Sequence, residues 1–298
     1  MFFVPLMRIR SGVKFRIKVI IKKTLSIFFS SLGYKISFNS INELIISKNL
    51  TKTLSKIKIA DNLYYIDKIN NVNFKTFIVN NSKYLNAQMS VLWILFLLDN
   101  KKNGYFVEFG ACDGLLFSNT LLLEKSFGWD GILAEPNRSY HKQIRKNRRA
   151  IIDRRAVWSS TKDYVEFAEV SAGGLSGIYQ SFKDSKYQLN KRELLGLKRY
   201  KVETISLNDL LAEHNAPANF DLLSIDTEGS EFQIFENFNL NKYHPKIILI
   251  EFDGSKNTEK EFKKMIAGYG YKSIGSKLKD SRNLWFVSNT IQNLNKKI

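Results

Sequence analysis

Acidic residues flank a glycine turn near the middle of the chain. The segment reads Glu108-x-Gly110-x-x-Asp113-Gly114 and follows an apolar stretch that begins at residue 105. Glycine lets the backbone turn tightly and approach a ligand because it has no Cβ. Two carboxylates would repel a pyrophosphate, whose usual turn is G-x-G-x-x-G, but would attract a ligand with an ammonium and a sulfonium group. The pattern therefore favours S-adenosylmethionine as the cofactor.

A second acid lies at the distance expected for a ribose contact. Glu135 follows Gly114 by 21 residues and ends the apolar stretch 131–134. An acid at the C-terminal end of the second strand of a nucleotide-binding sheet can accept both ribose hydroxyls. The third strand is predicted at 155–159, and the backbone around Ala156 and Val157 is a candidate contact for the adenine.

Asp226, Glu228 and Glu231 follow the apolar stretch 222–225, and Glu251 ends another apolar run. Acids this close repel one another unless a cation or a hydrogen-bond donor lies between them. A helix cap would account for one of them. The others are candidates to bind the methionine end of the cofactor, a metal ion or a substrate hydroxyl. Carboxylates suit Mg²⁺, but no spacing demands a divalent metal, and no metal ligands are assigned.

These residues require an α/β scaffold that brings strand ends together. Uninterrupted apolar runs are typical of parallel strands buried on both faces. Helices are predicted at 83–99, after Ser118 or Asn119 up to Gly128, from Ser206, and at 259–267. Strands are predicted at 105–109, 131–134, 155–159, 164–170, 201–205, 222–225, 246–252, 271–274 and 284–288. The alternating stretches 62–69 and 74–79 are interpreted as strands of a small accessory element.

The positive charge is concentrated near the N-terminus. The net charge is +18, and residues 1–60 contain three Arg and nine Lys against one acid, Glu43. Residues 8–32 form a basic amphipathic pattern that predicts contact with an anionic membrane surface; a helix packed on the domain is the alternative. Lys22 and Lys23 interrupt the apolar run, so the segment does not span a bilayer. No nucleic-acid-binding motif accompanies the charge.

One cysteine, Cys112, excludes an internal disulfide framework and fits a reducing compartment. We therefore expect a cytoplasmic protein, with peripheral contact at the inner face of a membrane through residues 8–32. Residues 1–82 are predicted to be a basic extension with an accessory element, 83–290 the catalytic domain, and 291–298 a tail.

Five segments together resemble the FkbM family of S-adenosylmethionine-dependent methyltransferases. They read VEFGACDG, FSNTLLLE, GWDGILAEPN, DLLSIDTEGSE and HPKIILIEFD, and the resemblance spans residues 104–288. It implies a Rossmann-like seven-stranded methyltransferase sheet with helices on both faces. It also implies methyl transfer, commonly to a hydroxyl of a sugar or polyketide-type metabolite.

The resemblance also implies residue roles. The residues expected at the methionine end of the cofactor are Glu108, Gly110, Asp113 and Gly114. Glu135 would hold the ribose, and Asp226 would lie beside the transfer site. An alcohol must lose its proton when it is methylated, so Asp226 is the first candidate base and Glu228 the second. The alternatives are a non-catalytic methyltransferase-fold binding module and a NAD-dependent oxidoreductase, which the missing third glycine and the acids disfavour.

Overall fold

The structure is a computed structural model, and it describes most of the chain after residue 70. The described residues are 62, 66, 69, 71–85, 87–115, 117–170, 174–183, 196–252, 256–275 and 283–298. The predictions for residues 8–32 lie outside them. Two compact units are present: residues 1–70 with 78–87, and residues 71–77 with 88–298. Both sheets and the cavity described below belong to the second unit.

Seven strands form the main sheet of the second unit. They are β1 (Tyr105–Phe109), β2 (Asp130–Ala134), β3 (Ile151–Asp153), β8 (Leu222–Ile225), β9 (Ile247–Glu251), β10 (Tyr271–Ser273) and β11 (Asn283–Ser288). Their order across the sheet is β10-β11-β9-β8-β1-β2-β3. The five strands from β3 to β9 are parallel, whereas β11 pairs antiparallel with both β9 and β10. The predicted Rossmann-like α/β fold with a seven-stranded sheet is confirmed.

Burial explains why the central strands are parallel and apolar. β8 is buried at every residue, and β1 at all but its first, so both faces of the sheet are covered.

The helices of the described residues are α1 (Val72–Asn80), α2 (Met89–Leu97), α3 (Leu121–Phe127), α4 (His141–Asn147), α5 (Tyr179–Phe182), α6 (Leu207–Glu213), α7 (Glu231–Phe235), α8 (Lys256–Ile266) and α9 (Leu294–Lys297). None of these helices is long and apolar enough to cross a bilayer.

The chain between β3 and β8 forms a second sheet of four strands. It contains β4 (Ala156–Trp158), β5 (Tyr164–Glu169), β6 (Gly177–Ile178) and β7 (Lys198–Ser206), in the order β4-β7-β5-β6. The strand predicted at 155–159 is present as β4, but its assignment as the third strand of the main sheet is wrong, because β3 pairs with β2 and β4 pairs with β7 instead. Arg155 ends β3 by donating its backbone N–H and its guanidinium Nε–H to Asp153. This local turn redirects the chain out of the main sheet.

Two predictions before residue 100 are also corrected. The stretch 74–79, expected as a strand, lies within α1, where Phe74 stacks on Trp93 with ring centroids 3.6 Å apart. The helix expected at 83–99 begins later, at Met89. In α6, by contrast, the helix starts at Ser206 as predicted, and the Ser206 hydroxyl caps it by accepting a hydrogen bond from the Asp209 backbone N–H.

Candidate functional site

A cavity of about 390 Å³ opens at the carboxyl ends of β1, β2 and β8. This is the edge where open α/β sheets bind ligands, at the point where the strand order reverses. Its volume is in the range of small-molecule sites. The lining includes five residues that the sequence predicted for the cofactor, Gly110, Glu135, Ala156, Val157 and Asp226, together with Glu228 and Glu251.

Gly110 lies at the reversal point between β1 and β8. Its φ is +77°, and a Cβ at this position would lie 1.8 Å from the carbonyl oxygen of Asp226. Any side chain there would push the β8 exit away from the β1 turn. Gly110 also donates its N–H to Ala134 at the end of β2, at 3.2 Å. One glycine thus brings three strand ends together.

Glu135 places a buried carboxylate against the same turn. Its two oxygens accept hydrogen bonds from the backbone N–H groups of Cys112, at 2.7 Å, and Asn137, at 2.8 Å. Burial raises the pKa of Glu135 to about 7, although these two hydrogen bonds act in the opposite direction. Each oxygen still has a lone pair for another donor, so the carboxylate fits a diol such as the ribose of a nucleoside.

Two neutral polar groups adjoin Glu135. Burial, followed by the charge of Glu135, raises the pKa of the Cys112 thiol and keeps it protonated. The pKa of the Tyr140 phenol is raised mainly by burial as well. Cys112 and Tyr140 both line the cavity, so they offer weak and strong hydrogen-bond donors without adding charge.

Three carboxylates meet at the exits of β8 and β9. One oxygen each from Asp226, Glu228 and Glu251 lies within 4.8 Å of the others, and all three residues are half-buried. Burial raises the pKa of Asp226 well above its ordinary value, and the hydrogen bond and charge of Glu251, then the charge of Glu228, raise it further. Asp226 is therefore harder to ionise in the ligand-free protein than an ordinary carboxyl group. Positive charge brought into the cavity would favour the ionised form, which can act as a base.

Glu231, the third acid of the DTEGSE segment, has a structural role. Its Oε1 accepts hydrogen bonds from the backbone N–H groups of Thr227, at 2.9 Å, and Gly229, at 3.1 Å. It thereby fixes the turn that leads into α7, which matches the expectation that one of the three acids is used locally.

Three residues predicted at the methionine end of the cofactor do not line the cavity. Glu108 instead accepts hydrogen bonds from the Asn119 backbone, at 2.6 Å, and from Ser118 and Thr120. Asp113 accepts one from the Leu115 N–H at 2.9 Å. A Cβ on Gly114 would lie 2.6 Å from Cγ of Arg148, so this glycine gives the arginine stem its space. Their role in cofactor binding stays a prediction, while the structure gives each a structural contact.

Arg148 joins these residues in a buried network that the sequence did not reveal. Its side chain is fully buried and forms an ion pair with Glu124, Nε to Oε2, at 3.0 Å. Nη2 donates to the Thr120 hydroxyl at 2.7 Å, and Nη1 donates to the Ser118 hydroxyl at 3.0 Å. Glu108 lies 3.6 Å from Nη1. The SNT-x-x-x-E segment is thus organised by one arginine.

The family model for the methyltransferase FkbM domain matches residues 108–273. The chain belongs to the FkbM methyltransferase family. Among solved structures, the chain is similar to precorrin-6y C5,15-methyltransferase from Geobacter metallireducens, with 12% identity and a TM-score of 0.32. That likeness covers 66% of this chain and 85% of the other. A search of curated protein sequences gave no match.

The FkbM membership makes this protein a methyltransferase and draws attention to residues that the sequence reading passed over. Asn119 lines the cavity and spans two elements, since its amide donates to the Ser224 hydroxyl at 3.1 Å and accepts from Ser90. Phe117 lines the cavity too. Both belong to FSNTLLLE, a segment that contributes to the family resemblance and to a predicted helix start but for which the sequence predicts no site residue. The signal available was the density of polar residues before an apolar helix.

Proposed function

We propose that this FkbM methyltransferase uses S-adenosylmethionine to methylate a hydroxyl group of a sugar or a similarly hydroxylated acceptor. The observation that carries the proposal is the position of Asp226, Glu228 and Glu251 in the same cavity as Gly110 and Glu135. A diol-binding carboxylate and a cluster of acids are what a nucleoside with a cationic sulfonium requires of its site.

In this proposal, different residues of the chain bind different parts of the cofactor. Glu135 accepts the two ribose hydroxyls, and Ala156 and Val157 provide an apolar wall for the adenine. Asp226 and its neighbours offset the positive charge at the methionine end. Bound in this way, S-adenosylmethionine supplies an electrophilic methyl group.

The acids also handle the acceptor proton. The acceptor oxygen forms a bond to the methyl carbon, and the electrons of the S–CH₃ bond go to sulfur, which becomes a neutral thioether. The hydroxyl proton goes to one carboxylate. Asp226 is the preferred candidate for this base, and Glu228 is the alternative. Much of the rate enhancement comes from holding oxygen, carbon and sulfur in line, and the base adds about 10²–10⁴-fold.

The same three carboxylates fit a divalent cation. Hard oxygen donors in a half-buried cluster suit Mg²⁺, which retains several water ligands, and a cation there would acidify the acceptor hydroxyl. A metal ion or a carboxylate alone could therefore assist deprotonation of the acceptor. Turnover is compared after treatment with EDTA and after readdition of Mg²⁺. Unchanged turnover excludes the metal and leaves the carboxylates as the base.

We also propose that residues 8–32 bring the enzyme to an anionic membrane surface. A basic amphipathic segment attracts anionic lipids at about 1 kcal/mol per basic residue near the surface, and this would place the enzyme near glycans assembled at a membrane. Co-sedimentation with phosphatidylglycerol vesicles tests this, and a protein that stays in the supernatant contradicts it.

The test of the central proposal uses the purified full chain. S-adenosylhomocysteine is titrated calorimetrically, and methyl-labelled cofactor is then supplied with a panel of methyl hexopyranosides and with glycan, lipid and protein fractions of cell extract. We expect cofactor binding and label in a sugar. Binding without label in any fraction would favour a non-catalytic module, and label in protein alone would reject the sugar acceptor.

A further inference from the structure

Phe117 combines three features that rarely occur together. It lines the cavity, 69% of its surface is exposed, and its backbone adopts a left-handed conformation with φ of 58°. A bulky residue at positive φ is a genuine outlier, because its Cβ crowds the adjacent carbonyl oxygen. An exposed phenylalanine alone is ordinary; the strain and the position at the cavity are what require an explanation.

The residues on either side hold Phe117 in this conformation. Nη1 of the buried Arg148 donates both to the Gly114 carbonyl, at 3.3 Å, and to the Ser118 hydroxyl, at 3.0 Å. The backbone N–H of Asn119 donates to Glu108 at 2.6 Å. A strained residue persists when its surroundings over-determine it, and such residues cluster at functional sites. The clamp by Arg148 meets that condition.

Folding stability gives no reason for this arrangement. A ring that is two-thirds exposed removes little apolar surface from water, so it offsets neither the strain nor the exposure. A ligand that covers the ring when it is bound would supply a reason. Phe117 lines the cavity, which has room for such a ligand.

The connections of this segment indicate which ligand it contacts. Asn119 donates to Ser224 in β8 at 3.1 Å, and β8 leads directly into Asp226 and the acid cluster. Glu135, which is assigned to the nucleoside, lies instead at the end of β2. Phe117 is thus tied to the side of the cavity where the methyl group is transferred.

We infer that Phe117 is the platform on which the acceptor sugar ring stacks. A pyranose has polar hydroxyl edges and an apolar face of C–H groups, whose partial positive charge matches the negative face of an aromatic ring. Stacking of that face on Phe117 leaves the hydroxyl edge for Asp226 and Glu228. The inference rests on the proposed function and specifies how its acceptor is recognised.

The test replaces Phe117 with Asn, which tolerates the left-handed conformation but has no ring. Because the substitution relieves strain, we expect the Tm to rise by about 1–3 °C. Loss of one aromatic contact should raise the KM for the methyl hexopyranoside that the wild type methylates by about 3- to 10-fold. The Kd for S-adenosylhomocysteine should stay unchanged, and Phe117→Trp should retain the wild-type KM.

Two control variants separate the effects. Lys162 is exposed and also left-handed, with φ of 60°, so Lys162→Asn relieves similar strain away from the cavity. Tyr164 is 62% exposed on β5, and Tyr164→Ala removes an exposed ring that does not line the cavity. Neither control should change the KM.

The outcomes are distinguishable. A Phe117→Asn enzyme with the wild-type KM overturns the inference alone. Weaker binding of S-adenosylhomocysteine in this variant also overturns it, by assigning the ring to the cofactor's adenine. A wild-type enzyme that methylates none of the glycosides overturns the proposed acceptor class, and the inference with it.

Discussion

Replacing Arg148 with methionine tests whether the buried network holds the site together. The Arg148 side chain is fully buried, and the side chains of its carboxylate partners Glu124 and Glu108 are 1% and 4% exposed. Methionine keeps much of the volume but removes the buried cation from both carboxylates, and Glu124 then has only the half-exposed Lys125, at 3.7 Å. Breaking such a pair costs about 3–5 kcal/mol, which for a unit of this size corresponds to a loss of about 6–20 °C in Tm.

The assay is thermal and urea unfolding followed by tryptophan fluorescence, with Arg149→Ala as the matched control. Arg149 is the exposed neighbour, and its backbone N–H donates to Glu124 whatever its side chain is. We expect the control to stay within about 0.5 kcal/mol of the wild type. Adding Glu124→Gln to Arg148→Met should recover part of the lost stability, because it removes one of the unpaired charges.

The pH dependence adds a second readout. Burial alone would raise the pKa of Glu124, but the hydrogen bond from the Arg149 backbone and the charge of Arg148 lower it overall. A carboxyl whose folded pKa lies below its unfolded pKa stabilises the protein above the unfolded value and loses this contribution as the pH falls. Arg148→Met should flatten that acid limb. A methionine variant as stable as Arg149→Ala would refute the reasoning.

Three further predictions concern the cavity. Burial raises the pKa of Glu135 to about 7, and its proposed role is to accept hydrogen bonds from the ribose hydroxyls as a carboxylate. The affinity for S-adenosylhomocysteine should therefore fall about tenfold per pH unit below 7, and calorimetry should show proton release on binding. A Glu135→Gln variant with the same pH profile would contradict this. Because its folded pKa lies above the unfolded value, Glu135 should also make folding less favourable as the pH rises towards 7. Asp226→Asn should lower turnover by about 10²–10⁴-fold with little change in Tm, since burial and the carboxylates of Glu251 and Glu228 already disfavour the charged form of Asp226. Wild-type turnover would remove Asp226 from the reaction. Gly110→Ala should abolish binding of S-adenosylhomocysteine and lower the Tm. The control is Gly268→Ala, which should cost only backbone strain, because Gly268 has φ of +88° and a Cβ there would have no atom within 4 Å. Equal effects in the two variants would show that the contact with Asp226 is unimportant.

The sequence predicted the strands that carry the site because their burial leaves a simple pattern. β1, β8 and β9 are apolar over their whole lengths apart from residues with partners, and such runs occur in parallel strands covered on both faces. The carboxyl ends of those strands are fixed by the topology. The positions of Gly110, Glu135 and Asp226 at one edge followed from this.

Other elements depended on tertiary contacts that a local pattern does not encode. The stretch 74–79 is rich in residues that favour strands, yet Phe74 and Ile78, four residues apart, are the buried ones, as in a helix. In the sequence, Arg148 stands among other basic residues, Arg145, Lys146 and Arg149, and its type alone does not distinguish it from them. A signal was present, however: it lies four residues after Ile144, which is buried, and residues at that spacing share a helix face.

The acids illustrate how folding divides residues of one type between different roles. Glu108 accepts hydrogen bonds from the segment 118–120, and Glu231 accepts them from the backbone of Thr227 and Gly229. The fold itself therefore already supplies donors to the oxygens of both residues. Glu135 has one backbone N–H donor per oxygen and retains capacity for a ligand. Asp226 is hydrogen-bonded to another carboxyl, that of Glu251, and its pKa is raised first by burial and then by this neighbour. The number of donors that the fold supplies to each carboxylate therefore indicates its role, and the least satisfied acids lie where a cationic ligand would stabilise them most.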